Sequence, residues 1–261
     1  VNSGQNIAIN LNSYTVSSSN STSIITNKGT LYISNGTLST TSGTGNAITN
    51  SGTLTISDGT VSGITRAIYN ASGNTSIIGG TVKTVGTSGS GASYTVEGKA
   101  GNIYISAGTV SADQGASTNR ALAVYIHDSA NLTVSGTAII KGTHTGIQGS
   151  GSGTIKIQGG TISSEKVLSG DSYSAKTIYA SNNVEMTGGT INAPAGGIGI
   201  YSCSTGSVTM NSNDATISGN TGSTGIQQTG TGSITIKAGS IKCYTSAIDK
   251  SSTGVVTIGE N

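Results

Sequence analysis

Phenylalanine and tryptophan are absent from this chain of 261 residues, and proline occurs once. Charge is scarce: 12 basic and 10 acidic residues leave a formal net charge of +2. That balance gives no basic footprint for nucleic acid. No run of about 20 apolar residues occurs, which excludes a membrane-spanning helix. Cys203 and Cys243 are too few for a disulfide framework. They fall at different phases of the repeat described below, and are expected to be unpaired thiols acting as small core residues. What the chain has in excess is glycine, 41 residues, with Ser, Thr, Asn and Ile. Leu, Ile and Val together make roughly a fifth of it, near the compositional border of disorder. Disorder normally also needs a high net charge, which is missing. A thin, regular core built by repetition is the remaining solution.

The repeat is visible directly. Gly52-Thr53-Leu54-Thr55-Ile56-Ser57-Asp58-Gly59-Thr60-Val61 returns as Gly29-Thr30-Leu31-Tyr32-Ile33-Ser34-Asn35-Gly36-Thr37-Leu38. It returns again as Gly153-Thr154-Ile155-Lys156-Ile157-Gln158-Gly159-Gly160-Thr161-Ile162, and from Gly232 to Ile241. The first apolar position of each unit falls at 7, 31, 54, 75, 103, 132, 155, 184, 208, 234 and 256, a mean period of about 25 residues. Thr75 is the polar member of that column. Alternation within each unit is that of a strand with one buried face. A second apolar column follows a Gly-containing bend: Leu38, Val61, Val82, Val110, Ile139, Ile162, Ile191, Ile217 and Ile241. A third, looser one holds Ile48, Ile68, Val124, Ile147, Ile178, Ile200, Ile226 and Ile248.

Three short strands per unit predict an all-β fold: a three-sided right-handed parallel β-helix (β-solenoid) of about 11 coils, spanning residues 1–261 as a single domain. Stacking like upon like every 4.8 Å or so suits β-branched side chains, which accounts for 31 Ile against 7 Leu. The chain begins at Val1, and neither end carries a capping pattern. The expectation is a piece of a longer protein, or ends that stack on partners.

Through Gly-Thr-Φ-x-Φ-x-x-Gly-Thr-Φ (Φ, an apolar residue) the whole chain resembles the right-handed parallel β-helix, pectate-lyase-like superfamily. It is more similar still to the Gly/Thr/Ser/Asn-rich repeats of bacterial surface proteins and adhesins. The resemblance implies an exported, extracellular bacterial surface protein of adhesin or stalk type, non-enzymatic and without cofactors, with glycans or host surfaces as partners. The superfamily's enzymes are polysaccharide lyases and hydrolases. They place clustered Asp, or calcium with Arg or Lys, on one outward strand face. Here the ten carboxylates scatter over different phases, and the one match is Lys156 beside Glu185 in successive coils, a pattern of cross-strand ion pairs. His127 and His144 lack companions at metal-ligand spacing, so no metal site is expected. His127-Asp128 reads as a solvated corner pair.

Two candidate binding features remain. The first is an outward Thr/Ser array, Thr37, Thr60, Thr81, Thr109, Thr161, Thr190 and Thr216, with Ala138 in the same file. Partial likeness to ice-binding solenoids makes ice a further alternative. The second is a notch framed by three long segments around 84–95, 112–120 and 164–175. Its floor would be Lys141-Gly142-Thr143-His144, with Tyr94, Arg120 and Tyr173 at the rim, since ligand sites favour loops on a rigid scaffold.

Overall fold

The computed structural model describes residues 1–42, 44–85, 92–113, 120–165 and 175–259. Among them every regular element is a β-strand, and every pairing between strands is parallel. The chain winds as a three-sided solenoid of about ten turns. One face is a ten-stranded sheet running from Ile25–Asn27 to Ser246–Lys250. A fifteen-stranded sheet supplies the other two faces by folding round a corner. Long strands such as Asn74–Val85 and Asn102–Asp113 cross that corner through register irregularities at the bend.

The first-face column pairs as the repeat predicts: Ile7 with Leu31, Leu31 with Leu54, Leu54 with Thr75, Thr75 with Ile103, and onward to Val256. The third-face column is likewise continuous and gains Ile25 and Val96. These side chains point inward and are fully buried over most of the length, forming one core that runs along the axis. At the bend between first and second faces, Gly59, Gly80, Gly108, Gly160 and Gly189 all have φ between 68° and 81°. A side chain resists that left-handed conformation, hence the recurring Gly before Thr-Φ.

The second column needs one correction. Ile139 does not point inward: it pairs with Thr109 and Thr161 and is 46% exposed. Ile140 takes the inward place, between Val110 and Ile162, and Lys141 falls between Ser111 and Ser163 in the outward file that follows the second column, the Ser file. The bend after Val134 holds one residue more than its neighbours, closed by an Ala138 N–H to Ser135 C=O hydrogen bond of 3.3 Å. Ala138 is buried there rather than lying in the outward file. Alternation cannot separate Ile139 from Ile140, because both are apolar.

The interior corner at the end of the third face is polar at both ends of the rod. Asn27, Asn50 and Asn70 stack in register, all fully buried. Asn27 Nδ2 donates to Asn50 Oδ1 at 2.8 Å, and Asn50 Nδ2 to Asn70 Oδ1 at 2.9 Å. Thr75 Oγ1 donates to Asn70 Oδ1 at 2.9 Å, so the one polar member of the first column joins this ladder. Further along, the same position becomes Gly98, Ile126, Gly149 and Ala180, then Ser202, Gln228 and Lys250. Lys250 Nζ donates to Gln228 Oε1 at 2.6 Å.

Candidate functional site

The three long segments all leave the second face and enter the third, after Val85, Asp113 and Glu165 and before Ser93, Ala121 and Lys176. The strand ends that flank them lie at one corner of the rod. Tyr173 lies outside the described residues. The other six residues of the expected notch separate into three environments.

Tyr94 and Arg120 belong to the third face. Outward positions there carry Tyr69, Glu97, Tyr125, Gln148, Tyr179 and Tyr201 in successive register. With Tyr94, five of the chain's ten tyrosines collect on this one surface, each half-buried. Tyr94 and Tyr125 stack with centroids 4.9 Å apart, and Tyr125 and His127 at 5.0 Å. Tyr179 and Tyr201 stack at 5.1 Å. Such separations are those of offset rings. Cations interleave with them: Arg66 lies 4.9 Å from the Tyr69 centroid, and Lys176 Nζ 4.3 Å from that of Tyr201.

Arg120 Nη1 donates to Gln148 Oε1 at 3.4 Å. Burial pushes the Tyr94 hydroxyl above its usual pKa, with the Arg120 charge acting against it. Glu97, 8% exposed, is the hub of the ridge. Arg66 Nε lies 2.5 Å from its Oε2, and His127 Nε2 lies 3.1 Å from its Oε1. His127 therefore does more than pair with Asp128, which its Nδ1 approaches at 3.3 Å. The sequence did hold a signal for this ridge: a Tyr directly follows the third-column residue in Ile68-Tyr69, Val124-Tyr125, Ile178-Tyr179 and Ile200-Tyr201.

His144 is not on a floor. It is 1% exposed, and its Nδ1 accepts a 2.9 Å hydrogen bond from the Ala121 N–H. In the neutral ring that bond leaves the proton on Nε2. Thr143 also turns inward, donating to the Ala112 C=O at 2.8 Å. This coil passes from second to third face through a tight bend at Gly142 rather than a long segment, so the side chains that follow fill the corner from inside.

Lys141 faces a cavity at the expected corner. Nζ lies 2.5 Å from Glu165 Oε1, and this hydrogen-bonded carboxylate raises the ammonium pKa. The cavity, about 450 Å³, is lined by Lys141, Ser163, Glu165, Asn192, Ser218 and Asn220, among others.

The Thr array is in register. Thr37, Thr60, Thr81 and Thr109 pair in succession, and Thr15 extends the file by one rung. Ile139 interrupts it before Thr161, Thr190 and Thr216 resume. All seven threonines are half-buried. Lys156 and Glu185 pair as the phase match predicts, at 3.7 Å on an exposed surface. Cys203 and Cys243 are unpaired and half-buried, and burial pushes the Cys243 thiol above its usual pKa. No group of three or more His, Cys, Asp or Glu that could hold a metal occurs among the described residues. No helix among them is long and apolar enough to cross a membrane.

No protein-family model, curated protein or solved structure matches this chain.

Proposed function

We propose that this chain is a non-enzymatic, exported segment of a bacterial surface protein, of adhesin or stalk type, and that it binds glycans. The observation that carries the reading is the third-face ridge: five half-exposed tyrosines interleaved with Arg66, Arg120 and Lys176. Tyrosine offers a sugar both an apolar ring and a hydroxyl, at a low cost in side-chain entropy. Guanidinium and amide groups beside it supply donors for sugar hydroxyls. The scaffold behind is a rigid stacked core, which keeps the ridge ordered before any ligand arrives.

Several carboxylates that an acid–base mechanism would need are engaged by cations. Glu97 is held by Arg66, Glu165 by Lys141, and Glu185 by Lys156. This supports binding over a polysaccharide lyase or hydrolase. The test is a glycan array followed by titration of the best ligand. Replacing Tyr94 and Arg120 together by alanine should weaken binding at least tenfold, the loss of a residue pair worth about 1.4 kcal/mol or more. Unchanged affinity in a variant that keeps its β circular dichroism would exclude the ridge, and release of sugars during the titration would favour the enzyme.

A second reading, ice binding, is favoured by the unbroken run of Thr15, Thr37, Thr60, Thr81 and Thr109 on five successive rungs. Lys83, Ile139 and Lys141 roughen the surface around that run. On the glycan reading, thermal hysteresis at millimolar protein should equal that of an inert protein. Hysteresis lost on replacing Thr60 by lysine would reverse the order of the two readings.

A further inference from the structure

The cavity that Lys141 faces is a groove running along the rod rather than a pit. Its outward-pointing members, Lys141, Ser163, Asn192 and Ser218, are partners in consecutive rungs of the second face. Glu165, Pro194 and Asn220 follow the same strands into the corner and form one side, while Ser164, Ala193 and Gly219 lie beneath. Three steps of about 4.8 Å give the groove a length of roughly 14 Å. Its volume of about 450 Å³ is that of a binding site for a small oligomer.

The chemistry of the lining repeats with the rungs. Hydroxyl and amide groups dominate, and Ser218 Oγ donates to Asn192 Oδ1 at 2.7 Å, which orients the Asn192 amide with its Nδ2 as a donor. Charge enters the groove at Lys141 and Glu165, which neutralise each other at 2.5 Å. A lining of this kind favours an uncharged ligand rich in hydroxyls over an acidic one. The extended form of a linear pyranose chain advances on the order of 5 Å per sugar, close to the step between strands. One sugar therefore meets one rung.

We propose that this groove is a binding site for a linear, neutral oligosaccharide lying along the solenoid axis, with one subsite per rung from Lys141 to Ser218. The site is distinct from the third-face ridge and shares no residue with it. The ridge reading concerns glycan recognition in general, whereas the groove adds a length-dependent, uncharged specificity.

Titrating cello- and manno-oligosaccharides of two to six sugars into the full chain tests it, with oligogalacturonates as the anionic arm. Affinity should rise with each sugar up to four and then level off, and oligogalacturonates should bind more weakly at equal length. Asn192→Ala should reduce affinity for the tetramer about tenfold, the equivalent of roughly 1.4 kcal/mol. Asn192→Arg, which fills the groove without touching the core, should abolish binding, and the unfolding midpoint of each variant verifies the fold. Affinity independent of length, preference for the anionic series, or retention of binding in folded Asn192→Arg would each overturn the groove. Should neutral oligosaccharides bind but respond only to Tyr94 and Arg120, the groove falls and the ridge stands. Failure of the wild-type chain to bind any of these oligosaccharides would overturn the groove, and an empty glycan array would overturn the ridge separately.

Discussion

Replacing Asn50 by leucine is expected to lower the unfolding midpoint by roughly 10 °C, although the two side chains are close in size. Asn50 is fully buried at the centre of the polar ladder. Its Oδ1 accepts from Asn27 Nδ2 at 2.8 Å and from the Gly52 N–H at 3.2 Å. Its Nδ2 faces Asn70 Oδ1, Thr75 Oγ1 and the Asn74 carbonyl, at 2.9, 3.1 and 3.0 Å. Leucine leaves several of these groups buried without a partner, at about 1–3 kcal/mol for each that finds none. A net loss near 4 kcal/mol, at about 2–4 °C for each, gives the stated shift. Thermal unfolding followed by circular dichroism reads it directly, and a shift under 3 °C would mean that the ladder is dispensable.

Thr75→Val sharpens the same point. Judged from the column of apolar residues alone, valine should improve the core. With the hydroxyl bonded to Asn70 and approached by Asn50, it should instead cost about 1 kcal/mol. Combined with Asn50→Leu, its effect should shrink, since the two residues share one network.

The second large effect is expected at Gly153, which precedes the strand Thr154–Ser164. A Cβ placed there would sit 1.8 Å from the Ala130 carbonyl oxygen and 2.6 Å from its carbon, both in the adjacent coil. Backbone on both sides has to move, so Gly153→Ala should cost on the order of 3 kcal/mol. Gly196→Ala is the matched control. Gly196 has φ +67° but open space around its Cβ position, so the cost is the left-handed conformation alone, about 1 kcal/mol. In a solenoid each coil leans only on its neighbours. Hydrogen exchange should therefore accelerate mainly in the coils around Ala130 and Gly153, and an equal response in the two variants would refute the steric account.

The two sites were legible to different degrees, for physical reasons. The first-face and third-face columns could be read from the chain, because a coil of nearly constant length brings each apolar residue over its predecessor. Reading failed where that length changed by one residue. Ile139 and Ile140 are equally apolar, and only the bend at Ser135–Ala138 decides which points inward. The same slip carries Lys141 into the Ser file and so into the groove. The expected notch dissolved because sequence spacing shows where a bend lies but not which way its side chains turn. His144 and Thr143 turn inward, Lys141 outward, and Tyr94 and Arg120 reach the neighbouring face.

Taken by itself, the order of residues determined that the strands stack in parallel around three sides. Period, alternation and the glycines of the bend are local properties that repeat, and a rod is the one way to bury all three columns together. Only the tertiary structure decided what the surfaces carry. The asparagine ladder, the tyrosine ridge and the groove each join residues 20 to 30 positions apart, whose meeting depends on corner geometry that no single coil encodes.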